Sequence, residues 1–337
     1  MRIILYPLRD FRVGTNNVPT LRLDAGICPI LDTGYTPGMT LVSELTIINS
    51  CLLSFGGVMN RFFLIMLIGA ILPAAADETS QARLAITRLD CGTVQVNDLN
   101  VFSDTDAYIG QSKTLVDSCY LLQHGDEYLL WDTGLPATLK DAALSGTGPM
   151  SAAITKTIGE QLAVLGVAIT QIKTVAISHY HFDHIGQLPE FAHAKLLIGR
   201  GDWEAVTAAN PAPDISAEPF QHWINGDASN VEAVTGDKDI FGDGRVIMLA
   251  MPGHTPGHSS LLVRLANKGP LLLTGDLAHF TANYEADGVP VFNTNRADTL
   301  ASLHRFKGLA INNKATVIIQ HEPADVAKLL AFPAFTD

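Results

Sequence analysis

Cysteine, positive charge and long apolar runs are all scarce in this 337-residue sequence. It has 4 cysteines and no C-x-x-C pair, which argues against a cysteine-based metal site. Lys and Arg number 22 against 34 Asp and Glu, so the net charge is −12 and the basic stripe that nucleic acid requires is missing. We find no tandem repeat and no low-complexity linker. These absences leave an acidic globular protein, for which we expect neither nucleic acid nor anionic lipid as a partner.

The apolar run at 62–72 is only eleven residues long, which as a helix spans ~16 Å and is too short for the ~30 Å core of a bilayer. Met59-Asn60-Arg61 gives it a basic start, and Pro73-Ala74-Ala75-Ala76 gives it an A-x-A ending. This pattern is typical of a secretory signal peptide, with a buried core helix as the alternative.

A signal peptide at 59–76 has consequences for the whole chain. We expect translation to start at Met59, so that residues 1–58 come from an over-extended gene start. The mature protein would then be one domain over residues 77–337 and would be periplasmic or secreted with no stable membrane anchor after cleavage. Cys91 and Cys119 would remain in it, either as one disulfide or as two buried thiols.

Strands and helices alternate along the mature chain. Gly92 is expected to end the first strand, and Gly308 to follow the last helix. Strands are predicted at 84–91, 117–122, 127–131, 173–177, 194–198, 245–250, 261–265, 271–273 and 316–319, and helices at 149–167, from 189 and at 296–307. The strands at 117–122 and 127–131 are joined by a turn at 124–126 and predict a hairpin. This mixture predicts one α/β domain with two β-rich halves.

Three histidines and one carboxylate fall within six residues in the order H-x-H-x-D-H: His179, His181, Asp183 and His184. The preceding run, 173–177, is β-branched and apolar and predicts a buried strand. Side chains two apart share a face of extended backbone, so His179 and His181 can point at one object. Asp183 and His184 are expected where the strand gives way to a loop. Imidazoles with a carboxylate suit a divalent metal such as zinc.

Three later predicted strands each end near one further candidate ligand: His254, Asp276 and His321. Seven candidates exceed the four of one tetrahedral metal and suit two. One ion would take His179, His181 and His254; the other would take Asp183, His184 and His321; Asp276 has two oxygens and can bridge. Two cations ~3.5–4 Å apart would share a water and lower its pKa, giving hydroxide near neutral pH. The constellation predicts a hydrolytic centre with two divalent ions, of which zinc fits the ligand types.

Four motifs carry a family resemblance. Ser178–His184 reads S-H-Y-H-F-D-H, Pro252–His258 reads P-G-H-T-P-G-H, Thr274–Asp276 reads T-G-D, and His321 follows. Together they resemble the metallo-β-lactamase superfamily over nearly all of residues 85–325. The resemblance implies an α/β fold, a single-domain αββα sandwich with a dimetal site at one edge, and the same seven residues as ligands.

Within that superfamily the sequence is most similar to N-acyl-homoserine lactonases. The likeness rests on L-D-C-G at 89–92, H-T-P-G-H at 254–258 and the helix start N-R-A-D-T-L at 295–300, besides the H-x-H-x-D-H motif. It implies that a metal-bridging hydroxide opens a small-molecule lactone or ester. Several of these lactonases place a tyrosine three residues after the bridging aspartate, where it contacts the lactone, and here that position is His279. An imidazole can also donate a hydrogen bond, so Asp183 and His279 are the predicted catalytic residues.

Other activities stay open. A phosphotriesterase, a β-lactamase and a thioesterase are the alternative hydrolases of this fold; Asp276 argues against a β-lactamase, and the leader argues against a cytosolic thioesterase. A redox diiron protein usually has glutamate where His181 stands. Asp276 follows His254 by only 22 positions, which leaves no room for the inserted domain of nucleic-acid-processing members. A monomer and a homodimer are both open.

Overall fold

Twelve strands and seven α-helices build the part of the chain that the computed structural model describes, residues 82–213 and 215–337. The strands are β1 Leu84–Val96, β2 Lys113–His124, β3 Glu127–Trp131, β4 Met150–Ala153, β5 Ile172–Ala176, β6 Lys195–Gly199, β7 Val231–Val234, β8 Lys238–Asp239, β9 Val246–Ala250, β10 Ser259–Arg264, β11 Pro270–Leu273 and β12 Thr316–Ile318. The helices are α1 Ile158–Val164, α2 Phe182–Ile185, α3 Arg200–Val206, α4 Gln221–Asn225, α5 Thr281–Glu285, α6 Arg296–Asn313 and α7 Pro323–Val326. The expected upstream extension, 1–58, and the expected signal peptide, 59–76, lie outside the described residues.

The strands form two mixed sheets. The seven-stranded sheet has the order β4-β1-β2-β3-β5-β6-β7, and the five-stranded sheet has the order β12-β11-β10-β9-β8. Strands β3, β5, β6 and β7 run parallel to one another, as do β11 and β12. Parallel neighbours need long crossovers, and those connections carry the helices. None of the described helices is both long enough and apolar enough to span a bilayer.

Three apolar layers hold the sheets and helices together. Because strand side chains alternate between faces, Tyr120 and Leu122 of β2 pack between the sheets with Leu261 and Val263 of β10. The opposite face of β2, with Leu121, packs against α1 and α4. On the far side of the second sheet, Leu262 and Leu272 pack against α6 through Leu303 and Phe306. The result is an αββα sandwich, which confirms the predicted fold class.

The first strand is longer than predicted. Gly92 does not end it, because β1 continues to Val96 through a register shift between Asp90 and Gly92. Gly92 has φ +139°, and a Cβ built there would lie 2.4 Å from a methyl carbon of Leu135. Glycine is therefore required for a β-bulge that bends the strand while pairing continues.

Two helix predictions were wrong in extent. Residues 149–167 divide into β4, which pairs with the end of β1, and the short helix α1, which begins at a capping box formed by Thr157 and Glu160. Pairing at the edge of the sheet therefore makes residues 150–153 a strand, in spite of their helical spacing. The helix from Arg296 passes Gly308 and ends at Asn313, where Lys314 at φ 50° forms the left-handed cap.

The two cysteines of the described chain are joined. Cys91 of β1 and Cys119 of β2 form a disulfide in the face of the sheet that α1 covers, with Cα atoms 5.8 Å apart. Of the two alternatives from the sequence, the disulfide is the correct one. A Cβ on Gly134 would lie 2.5 Å from Cβ of Cys91, so the turn after β3 rests directly on this bond.

Candidate metal centre

All seven predicted ligands come from the segments that follow strands at one edge of the sandwich, five from loops or short turns and two from the helical turn α2. His179, His254, Asp276 and His321 each lie three or four residues beyond the end of a strand, namely β5, β9, β11 and β12. Their ligand-type atoms fall into two groups able to hold a metal ion: His179, His181, His254 and Asp276 in one, and Asp183, His184, Asp276 and His321 in the other. The division is the one expected from the sequence. Ligation itself stays a prediction.

The first group is a tight ring of imidazole nitrogens. His179 Nε2 lies 2.9 Å from His181 Nδ1, and His254 Nε2 lies 3.1 Å and 2.9 Å from the same two atoms. Asp276 Oδ2 completes the group at 3.6 Å from His179 and 3.4 Å from His254. His254 donates from Nδ1 to Asn293 Oδ1 at 2.8 Å, so its Nε2 carries a lone pair into the ring. Lone pairs that converge in this way fit a bound cation.

The second group uses the other oxygen of the same carboxylate. Asp276 Oδ1 lies 2.8 Å from His321 Nε2 and 3.1 Å from His184 Nε2, and Asp183 Oδ1 lies 3.9 Å from His184 Nε2. His184 Nε2 is buried and makes no hydrogen bond of acceptable geometry within the described chain. A buried polar atom left in this state is costly, and a metal ion would satisfy it.

The strand argument for the H-x-H-x-D-H motif was wrong in detail. Strand β5 ends at Ala176, so His179 and His181 lie in the following loop rather than on a pleated face. Asp183 and His184 lie on the helical turn α2 rather than in a loop. Backbone hydrogen bonds shape this segment: Thr133 N–H donates to His184 O at 2.8 Å, and Gly186 N–H donates to Gly134 O at 2.7 Å.

Asp132, at the end of β3, holds His184 in place. It is 1% exposed, and its Oδ2 lies 3.0 Å from His184 Nδ1. Its Oδ1 accepts from Ser178 N–H at 2.6 Å, and Gln320 Nε2–H donates to Oδ2 at 2.9 Å. His321 likewise donates from Nδ1 to Val116 O at 2.8 Å. Such contacts fix which ring nitrogen faces a metal and how the ring is oriented.

His258 supports the Asp276 loop. It is fully buried and donates from Nδ1 to Met251 O at 2.9 Å, while its Nε2 accepts from Asp276 N–H at 2.9 Å. Burial lowers the pKa of His258 to about 3, so the ring is neutral and can accept that hydrogen bond. The ring thereby fixes the backbone that both groups depend on.

Charge is divided unevenly between the groups. Burial, reinforced by neighbouring imidazoles, holds the pKa of His179 and of His181 well below the usual value, so these rings are neutral. Burial also lowers the pKa of His321, but the Asp276 carboxylate outweighs it and raises the pKa to about 9. Burial opposes the charged form of His184 too, yet Asp276 and Asp132 raise its pKa well above the usual value. The second group therefore carries protons that a metal must displace.

A cavity of about 280 Å³ opens onto both groups. His181, Asp183, Asp276, His279 and His321 form its polar lining, and its apolar lining consists of Val94, Phe102, Leu115, Met150, Phe182 and Phe292. The site can therefore take a small molecule with one polar and one apolar part.

His279 lies in the wall of this cavity. Its ring is 3% exposed, stacks parallel to His321 with centroids 5.9 Å apart, and meets the edge of Phe102 at 4.7 Å. Nε2 lies 3.1 Å from Asp276 Oδ2, yet neither ring nitrogen makes a well-formed hydrogen bond within the described residues. Burial lowers its pKa, which leaves a neutral ring with a donor available for a ligand.

The aromatic residues divide between core and cavity. Tyr180 packs in the core, whereas Phe182 is 52% exposed and lines the cavity. The aromatics of 201–243 belong to the core. Phe220 and Trp223 are buried in the core, and Trp203 packs against it.

Comparisons with known proteins agree with this geometry. Residues 114–321 match the family model of the metallo-beta-lactamase superfamily. An N-acyl homoserine lactonase AttM of Rhizobium radiobacter is 32% identical over 188 residues, which cover 52% of this chain and 68% of that protein.

Two solved structures share the fold. An N-acyl homoserine lactone hydrolase with the product N-hexanoyl-L-homoserine bound at its catalytic metal centre superposes with a TM-score of 0.64 at 23% identity, over 76% of this chain and 100% of that chain. AidC, a dizinc quorum-quenching lactonase, superposes with a TM-score of 0.54 at 17% identity, over 76% and 90%. Because the family model matches more than half of this chain, the chain belongs to the metallo-β-lactamase superfamily.

Proposed function

We propose that this protein hydrolyses a lactone ring, that of an N-acyl homoserine lactone or a close analogue, at a centre of two zinc ions. The observation that carries the proposal is the pair of four-residue groups that share Asp276 at a cavity with both polar and apolar lining. The likeness to the AttM lactonase supports the substrate, and the likeness to the dizinc AidC supports the metal.

The spacing of the ligand atoms fits this metal. Atoms bound tetrahedrally at about 2.0–2.1 Å from zinc lie about 3.3 Å from one another. In the first group the distances run from 2.9 Å to 3.6 Å, on both sides of that value. His179, His181 and His254 would hold one ion and Asp183, His184 and His321 the other, with one oxygen of Asp276 to each. Bound there, the ions supply Lewis acidity towards a carbonyl oxygen and a lower pKa for water.

The chain's own side chains fit the rest of an acyl lactone. Phe102, Met150, Phe182 and Phe292 line the cavity beside its polar side chains and would bind an acyl chain by excluding water from it. The lactone ring would then lie against the polar side chains. An acyl chain held in this way would help to orient the ring towards the metal groups.

Two side chains can handle charge and protons during ring opening. Within the described residues the neutral ring of His279 makes no well-formed hydrogen bond, and it lines the cavity, so it can donate to the carbonyl oxygen as negative charge builds there. Asp183 also lines the cavity and is partly exposed, so it can take the proton that the attacking water loses and pass it to the leaving alkoxide. The place of His279 in the cavity wall is what favours a role beyond packing.

We also propose that the protein is exported, as expected from the pattern at 59–76. The Cys91–Cys119 disulfide supports export, because such bonds persist in oxidising compartments and are rare in the cytosol. N-terminal sequencing of the protein made from its own gene should give a start at or near Asp77. Residues 1–58 still attached to it would contradict the proposal.

A substrate panel tests the activity. We expect zinc-loaded protein to acidify a weakly buffered solution of an N-acyl homoserine lactone, and to act far more slowly on a β-lactam, a phosphotriester and a thioester. The metal-free protein is the control for spontaneous hydrolysis. Fastest turnover on the phosphotriester would contradict the proposed substrate and leave the metal centre standing.

A further inference from the structure

The junction of β6 and α3, residues 199–202, lies directly against the loop that follows His254. A Cβ built on Gly199 would lie 1.8 Å from Gly257 O, and one built on Gly201 would lie 2.6 Å from the carbonyl carbon of Pro256. Conversely, a Cβ on Gly257 would lie 2.3 Å from Asp202 N. Any side chain at these glycines would push the two backbones apart, so the close contact depends on all three.

One buried carboxylate joins these segments. Asp202 is 0% exposed; its Oδ2 accepts from Thr255 Oγ1–H at 2.9 Å, and its Oδ1 accepts from Gly257 N–H at 2.6 Å. It also accepts a hydrogen bond from the backbone N–H of Tyr180. Three donors from two different loops thus converge on a side chain that, among the described residues, makes no hydrogen bond or ion pair with a candidate ligand.

Each loop carries metal-ligand candidates next to those donors. Tyr180 lies between His179 and His181, and Thr255 directly follows His254. The loops come from different sheets, since one follows β5 and the other follows β9. Their relative position decides whether three imidazole nitrogens lie at 2.9–3.1 Å from one another, as they do here.

We propose that Asp202 is a positioning residue for the first metal group: through Tyr180, Thr255 and Gly257 it fixes the distance between the His179–His181 loop and His254. The inference rests on the proposed function in so far as that group holds a metal. It extends that function by making the first group, and not the second, depend on a carboxylate outside the cavity. His184 depends instead on Asp132, which is a separate contact.

The test is the metal content of Asp202→Asn. An asparagine keeps the size of the side chain, but its NH2 would face one of the three donors and replace attraction by repulsion. We expect one of two bound zinc ions to be held at least about 10-fold more weakly, the lower end of the usual cost of losing an outer contact. The other ion should keep its wild-type affinity. Elemental analysis after dialysis against graded chelator measures both.

Two further sets of variants distinguish a positioning role from a general loss of stability. Thr255→Val removes one donor and should weaken the same ion to a smaller extent, whereas Thr255→Ser keeps the hydroxyl and should behave as wild type. Asp239 is the matched control, because its carboxylate also accepts two backbone hydrogen bonds, from Gly242 and Gly244 at 2.9 Å and 2.6 Å, in a turn outside the cavity. Asp239→Asn should lower the melting temperature and leave both zinc affinities unchanged.

The outcomes separate the inference from the function on which it rests. Wild-type protein that binds fewer than two zinc ions contradicts the proposed function. Wild-type protein with two ions, together with an Asp202→Asn variant that melts earlier but holds both as tightly, overturns the positioning role alone. If Asp202→Asn does not fold, an equal zinc affinity of Thr255→Val and Thr255→Ser overturns it.

Discussion

For His279, a role in substrate chemistry and a role in packing predict different effects of mutation. As a donor to a developing oxyanion in a dry site, it should contribute about 10²–10³ in rate. His279→Ala should therefore keep its metals and lose kcat more than KM, and His279→Tyr should retain part of the turnover. Metal content and kinetics on the same samples check this, with the exposed His222→Ala as control. A nearly intact kcat with a shifted KM or melting temperature would mean that His279 only packs against Phe102.

Protons on the second group give a pH dependence. His321, with its pKa raised to about 9, and His184, with its pKa raised well above the usual value, are protonated at pH 7 in the metal-free chain. Both must lose the proton to bind a metal, so affinity at this group should rise as pH rises from 7 towards 9. Calorimetry of zinc binding in buffers of different ionisation enthalpy should show proton release near neutral pH. Binding without release would contradict the raised pKa values.

Among individual residues, the sequence predicted the ligand candidates but not the residues that orient them. Spacing alone singled out His179, His181 and His184, because ligand-type residues clustered at a strand end. Asp132 also follows a buried strand, as Asp276 does, and that position was a usable signal. Asn293 and Gln320 offered none, since their contacts to His254, Trp131 and Gly275 join distant segments that only the folded chain brings together.

Among the elements, the paired strands β1 and β2 carry the disulfide beneath the Gly134 turn. Replacing both cysteines, Cys91→Ala with Cys119→Ala, should lower the free energy of unfolding by about 2–4 kcal/mol, because the unfolded chain gains freedom and a buried contact is lost. Metal content should not change, since the strand pairing and Asp132 persist. Denaturant unfolding of the double variant checks this. Each single variant should lose about as much, and an unchanged stability in all three would contradict a formed bond.

The types of the elements were predicted correctly where a single periodicity dominated the sequence. The hairpin of β2 and β3 was predicted correctly because alternating side chains flank a short turn at Gly125-Asp126. Residues 149–167 were mistaken for one helix because Ile154 and Ile158 have helical spacing, whereas pairing of 150–153 with the end of β1 depends on the bulge at Gly92. Non-local pairing of this kind leaves little trace in local spacing.

Over the whole molecule, alternating strands and helices predicted one α/β domain, and the family resemblance supplied its αββα layers. The order of strands within each sheet could not be derived, since it depends on which apolar faces meet across the sandwich. Ligand types at successive strand ends did indicate a shared edge, because loops at the same ends of neighbouring strands converge.

Lactone hydrolysis should require both groups that share Asp276, and a zinc titration of the metal-free protein measures whether it does. Turnover of an N-acyl homoserine lactone should rise with added zinc and reach its plateau at two equivalents per chain. Asp276→Ala is the matched variant, and it should show neither that plateau nor the activity. A plateau of full activity at one equivalent, or full activity without added metal, would contradict a requirement for two metal ions.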